Sequence, residues 1–444
     1  MHIPQRPTDR SILGWSEQGA SGLALAADRL RLVLATDAWP LPVADLPAGS
    51  ALVGGAVRDG LLGRLAARPD LDLVVPVEAI ALCQTLSRRH GGSAVVLDAK
   101  RSIARLVLKG WSIDLARQVG GSLEADLARR DFRLNALALP LRPGAPLLDP
   151  TAGLKDLANG QVVAVAEANL REDPLRLLRG IRLAAELGFA LGEETLDWIQ
   201  AHHHLITQVA PERVLAELEK LAGCPDGGQG LALAYESHLL ESWRPRWQLA
   251  PGATDQGPDA PDRAATARCL EQLTTEQARL RGLLPPESSA PLGLARLAVL
   301  FDGAGLASLR GSRQLQQRCE RLHHWWRLLG QDDKGPESLL DRLPEPERLR
   351  LHQQIAGDLP ALLLFFPPPL ALAWLERWRD PADPLFHPHP PLDGRELQEL
   401  LGLAPSRRLG QLLGHLCLER AFGRISNSEE ALKAASIWLN GTAS

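Results

Sequence analysis

The chain has 444 residues, 45% hydrophobic and 23% charged, with a formal net charge of −4. That length predicts about three domains at roughly 150 residues each, and the composition is globular rather than disordered, collagenous or membrane-spanning. A mildly acidic total excludes a protein that coats nucleic acid regardless of sequence, which needs a large basic excess, but leaves room for a local basic groove.

Residues 1–47 begin MHIPQRPTDRSILGW, with no apolar run behind a basic start, so no secretory signal is expected and the segment reads as an N-terminal extension. The five cysteines are scattered and contain no CxxC, which argues against a disulfide framework or structural zinc and for a cytoplasmic location. From 48 to 150, short β-branched runs alternate with helical patterns. ALVGG, LDLVVPV, SAVVLD, ARLVL and WSIDLA read as strands, followed by a helix from about Leu123 to Leu139. From about Asn169 onward, Leu/Ala/Arg/Glu patterns with a period near 3.6 take over almost to the end. The expected fold class is therefore α+β: a mixed α/β head (48–150), then an all-helical neck (151–225), a linker region (226–265) containing the Pro/Gly/Asp-rich residues 244–263, and a helical body and tail (266–444). The apolar run Leu359 to Leu375 is broken by Pro360 and by Pro367 to Pro369, so it reads as core and no membrane association is expected.

Chemistry concentrates in the head. Gly54 and Gly55 close an apolar strand and open a helix, so their backbone N–H groups can approach a triphosphate; the plainer reading is a tight turn. In Asp70-Leu71-Asp72, residues i and i+2 share one face of a strand. Two adjacent carboxylates repel unless a cation lies between them; the alternative is a strand that merely begins in water. Asp114 is a third carboxylate interrupting an apolar strand, and together the three suit a pair of Mg²⁺ ions. Further along, Asp173 offers an acceptor close to the donor Arg176. Cytosine and adenine present an amine beside a ring nitrogen acceptor, so this pair fits them and mismatches uracil and guanine. Alternatively, Asp173-Pro174 is a helix cap, and Arg176, Arg179 and Arg182 form a solvated face.

The ordered motifs GGAVRD (54–59), DLD (70–72), RRDFRLNA (129–136), LDPTAGLKDL (148–157), REDPLR (171–176) and PERV (211–214) resemble the class II tRNA nucleotidyltransferases and bacterial poly(A) polymerases, strongly over residues 50–225 and weakly over the last fifty. The resemblance implies that Asp70 and Asp72 ligate Mg²⁺, with Asp114 as the third catalytic carboxylate. It implies that Gly54, Gly55 and Arg58 contact the triphosphate, that Arg130, Asp131 and Asn135 hold ribose and phosphates, and that Asp173, Arg176 and Arg179 read the base. The partners implied are CTP, ATP and the 3′ acceptor end of tRNA, gripped by the helical remainder. Two departures stand out. Only residues 118–128 separate Arg117 from Arg129, and such a short connection resembles the family members that add two cytidines and leave the terminal adenosine to a partner; Arg133 stands where Thr is usual. Expected, then, is template-independent addition of C to tRNA 3′ ends, with full CCA addition, poly(A) addition and a catalytically silent RNA-binding protein as alternatives. His202 to His204 and His323-His324 lack carboxylates at ligand spacing, so no appended metal phosphohydrolase is expected. Trp325-Trp326 and Trp374/Trp378 read as core.

Overall fold

The computed structural model describes residues 10–243, 263–280, 282–283, 289–330, 340 and 342–441. Two compact units emerge: Met1–Leu221 with Leu233–Leu240, and Ala222–Ala232 with Glu241–Ser444.

In the first unit, α1 (Arg10–Glu17) and α2 (Gly19–Leu34) precede the sheet. Small residues on α2 allow close approach: Ala26, Ala27 and Leu30 are buried, and a Cβ on Gly60 would lie 2.8 Å from Leu30. Asp45 then takes Arg89 (2.7 Å) and His90 (2.8 Å), so the extension is tied to the head.

The head strands are β1 (Ala51–Val53), β2 (Leu71–Val75), β3 (Ser93–Asp98), β4 (Ile103–Leu108), β5 (Trp111–Arg117) and β6 (Ala138–Pro140). Their spatial order is β3-β4-β5-β2-β1-β6, with β2 and β5 parallel and the other pairs antiparallel. Helix α3 (Gly55–Leu61) follows β1 and α4 (Ala79–His90) follows β2. Leu52, Leu71, Leu73, Leu106, Ile113 and Leu115 are buried in the core, as their alternation predicts.

The helix expected over 123–139 stops early. Helix α5 covers only Leu123–Leu127, a 3₁₀ turn follows at Arg133–Asn135, and the chain then enters β6. Long-range bonds win over local propensity here: the Asn169 amide donates to the Ala128 and Arg130 carbonyls (2.9 and 2.8 Å), and Arg133 N–H donates to Val163 (2.9 Å).

The neck contains α6 (Gly153–Asn159), α7 (Glu167–Glu172), α8 (Leu175–Leu187), α9 (Glu193–Ala201) and α10 (Pro211–Gly223). It is not wholly helical, because Gln161–Val162 and Ala190–Leu191 form a two-residue parallel pair. Residues 227–236 of the expected linker form α11 (Gly227–Glu236), in which Leu231 to Tyr235 are buried, whereas 244–262 lie outside the described residues.

The regular elements among the second unit's described residues are all helices. Trp325 is buried and its indole donates to Gln354 (2.9 Å), while Trp374 packs on Phe366, His352 and Phe386. Trp325 is core as expected, whereas Trp326, Trp374 and Trp378 are only half-buried, at the margin of the packed aromatic cluster rather than inside it. Near the end, Asp393 and Glu396 form a capping box on the helix Gly394–Leu401, which packs with Leu412 and Leu416. No helix among the described residues is long and apolar enough to cross a membrane.

Candidate active site

Strand register assembles the carboxylates. Val53 pairs with Asp72 across β1 and β2, and Asp72 pairs with Asp114 across β2 and β5. Gly54, next after Val53, has φ +73°, and a Cβ there would meet the Asp72 carboxylate at 3.0 Å and Arg130 Nη1 at 3.6 Å. Only glycine fits that conformation so close to both groups. Asp70, one residue before β2, is exposed, while Asp72 is half-buried. Burial, with Asp114 next, pushes the Asp72 carboxyl up to about 6; Arg130 and Arg105 oppose the rise.

Asp114 is not free to join its neighbours. Arg105 stands opposite it on β4 and donates to both carboxylate oxygens, Nε to Oδ1 at 2.7 Å and Nη2 to Oδ2 at 2.9 Å. Among the described residues, accordingly, no group of three or more His, Cys, Asp or Glu side chains is gathered around a point where a metal would sit. Mg²⁺ does not require such a cage, since it is commonly held by one or two carboxylates plus substrate phosphates. The exposed Asp70, the half-buried Asp72 and the bare backbone of Gly54 fit that mode.

The nucleotide-side residues divide into two groups. Arg58 is buried: its guanidinium donates to Asp59 (3.0 Å) and to Asn135 Oδ1 (2.8 Å). Asn135 in turn donates to Asp131 (3.3 Å), so Arg58 and Asn135 brace Asp131 from behind. On the other side, Arg130, Asp131, Asp173, Arg176 and Arg179 line one cavity of about 510 Å³. Asp131 accepts from Phe132 N–H (2.8 Å) and Arg179 (3.3 Å). Burial lowers the Arg179 pKa, but Asp131 and Glu217 outweigh it and the net shift is upward. Arg176 is pulled down, chiefly by burial.

The capping alternative for Asp173 is not what forms. The Pro174 position opens α8 without a side-chain cap, and the Asp173 carboxylate accepts from Arg213 instead (3.2 Å). Arg176 Nη1 is held by the Asn169 carbonyl (2.9 Å). Acceptor and donor are thus oriented by separate partners along one wall of the cavity.

Several lining residues were not among the expected site residues: Lys100 and Arg101 on the β3–β4 turn, Arg117 at the end of β5, and Arg129, which the RRDFRLNA motif contains without a role. Cations at turns and strand ends carry no signal of direction. Arg105 did carry one, because it breaks an apolar strand just as Asp114 does. Another long-range contact, His202 with Glu167 (2.5 Å), joins residues too far apart in sequence for spacing to reveal. Arg133 faces the buried Asp156 and opposes the rise in its pKa.

Comparison with known proteins agrees with this architecture. Residues 50–163 match the family described as poly A polymerase head domain, and 188–248 match that described as the probable RNA and SrmB-binding site of polymerase A. A CC-adding tRNA nucleotidyltransferase of Synechocystis is 36% identical, over 89% of this chain and 95% of its own. An A-adding tRNA nucleotidyltransferase of Deinococcus radiodurans is 31% identical, over 90% and 98% respectively. Among solved structures, the Thermotoga maritima CCA-adding enzyme complexed with tRNA has the same fold, with a TM-score of 0.64 at 21% identity over 88% of this chain and 91% of that one.

Proposed function

The chain belongs to the family of tRNA nucleotidyltransferases and bacterial poly(A) polymerases, and from that premise we propose that it adds two cytidines to the 3′ end of tRNA and then stops. The observation that carries this reading is the short, pinned connection after β5. Ser122 caps α5 by accepting from Ala125 N–H (3.1 Å), and Val119 N–H donates to Asp126 (3.1 Å), so the segment has little slack with which to reshape the cavity for a second base.

In this reading Asp173 accepts from the cytosine amine while Arg176 donates to the ring nitrogen and carbonyl edge. Asp131, braced by Asn135 and Arg179, orients the ribose and phosphates alongside Arg130. Gly54 and Gly55 let the triphosphate lie beside Asp72. Asp70 and Asp72 would hold Mg²⁺, which when bound offsets charge on the attacking 3′-hydroxyl and the departing pyrophosphate. The protein's own work is alignment: the RNA hydroxyl and the α-phosphate are brought together with the base already read.

The test supplies purified protein with tRNA lacking CCA and one labelled nucleotide at a time. Two incorporations from CTP and none from ATP on tRNA ending in CC are expected. Failure to incorporate CTP overturns the reading. ATP addition to tRNA ending in CC assigns CCA or A addition, and open-ended ATP extension of generic RNA assigns poly(A) synthesis. The double change Asp70→Ala and Asp72→Ala is expected to abolish all incorporation, which separates catalysis from mere RNA binding.

A further inference from the structure

We propose that Arg105 is a displaceable internal counter-ion that withholds Asp114 from divalent cations until nucleotide arrives, and so acts as a positioning residue for the reaction. The proposal rests on the reading of Asp70 and Asp72 as the cation site. Register places Arg105, Asp114 and Asp72 side by side on β4, β5 and β2. The two Arg105 hydrogen bonds take one lone pair on each Asp114 oxygen and set a positive charge against them, so a second cation that approaches this carboxylate competes with the guanidinium. The Arg105 side chain is 43% exposed and that of Asp114 24%.

An ion pair this open contributes little to stability, which leaves the placement of a cation on an otherwise apolar strand unexplained by folding alone. Its electrostatic effect on the site is larger. Three neighbouring carboxylates attract a divalent cation strongly, and the Arg105 guanidinium on Asp114 cancels a third of that charge, beyond what Arg130 offsets at Asp72. A metal-free site is thereby tolerable, and cation binding comes to depend on the phosphates the nucleotide brings. Once they arrive, the exposed guanidinium can leave Asp114 for water or phosphate at small cost, since phosphate offers it equivalent forked hydrogen bonds.

The experiment titrates Mn²⁺ into the full-length protein without nucleotide and reads free Mn²⁺ by electron paramagnetic resonance. Arg105→Gln is expected to bind Mn²⁺ about tenfold more tightly than the unaltered protein. Adding Asp114→Asn to that variant is expected to restore the original affinity. Arg105→Lys, which engages one oxygen at a time, is expected to fall between, and it decides the matter alone if the glutamine variant does not fold. Unchanged or weaker binding in the Arg105 variants overturns the proposal, as does tightening that survives Asp114→Asn. Asp72→Asn separates the two levels. If it abolishes Mn²⁺ binding while the Arg105 variants do not tighten it, the counter-ion role alone fails. If it leaves binding intact, the cation-site reading fails and the proposal falls with it.

Discussion

Asp156 shows what a single residue can reveal about this chain. It is 7% exposed, its Oδ2 lacks a hydrogen-bond partner in the structure, and burial pushes its carboxyl up to about 7 against the opposing charge of Arg133. The folded protein therefore keeps a proton that the unfolded chain releases near pH 4. Stability is expected to fall as pH rises from about 4 to 7, because over that interval the native state binds the extra proton. Asp156→Asn should remove this slope: equal urea midpoints at pH 4, and a gain of up to about 4 kcal/mol at pH 8. Arg133→Thr should raise the Asp156 carboxyl further and extend the fall in stability to higher pH, which gives the unusual arginine a function in stability. Asp173 makes a prediction about selectivity. Asp173→Asn places an amide where only an acceptor stood, so the preference for CTP over UTP in single-nucleotide incorporation should fall at least about tenfold, consistent with roughly 1 to 3 kcal/mol per misread base edge.

At the scale of elements, α8 carries Arg176 and Arg179, two of the side chains proposed to read the base, and is seated by a small residue. A Cβ on Gly180 would lie 2.8 Å from Phe132 Cζ, and Phe132 is fully buried next to Asp131. Glycine within a helix costs about 0.5 to 1 kcal/mol relative to alanine, so close packing is the reason for its presence. Gly180→Ala is expected to destabilise by about 1 to 3 kcal/mol through overpacking, and to raise KM for CTP more than it lowers kcat, because Asp131 moves with Phe132. In the second unit, the fully buried Arg296 donates to the carbonyls of Leu273 (Nε, 3.0 Å), Ala222 (2.7 Å), Cys224 (2.7 Å) and Pro225 (3.2 Å). Burial pulls its pKa down to about 10. Arg296→Met would strand the Ala222 and Leu273 carbonyls, because Cys224 and Pro225 still accept from Gly227 N–H and Thr275 Oγ1 (3.1 Å each), and should lower the thermal midpoint by an amount matching about 2 to 5 kcal/mol.

For the whole molecule, the net charge of −4 conceals a division. Residues 48–150 contain fourteen Lys and Arg against ten Asp and Glu, while 151–224 contain seven against eleven. Within the cavity, Asp131, Asp126, Glu172 and Asp173 are each matched by an arginine, and Lys100 and Arg101 add positive charge at its edge. Affinity for tRNA should therefore fall with salt despite the acidic total. Lys100→Ala with Arg101→Ala should flatten the slope of log affinity against log salt by about 1 to 2 if both touch phosphate; an unchanged slope would remove them from the RNA path. The sequence by itself determined the class of the fold, five of the six head strands and the place of Asp72 and Asp114 on theirs, because strand alternation and short-range motif spacing are local properties. The early end of α5, the small β pair in the neck, the bracing of Asp131 by Arg58 through Asn135, and the clamp of Arg105 on Asp114 were decided by tertiary structure. Each depends on which strands become neighbours and in what register, and a one-residue slip would turn Arg105 to the opposite face of β4. Interstrand register is set by packing across the whole sheet, and no local stretch of sequence contains it.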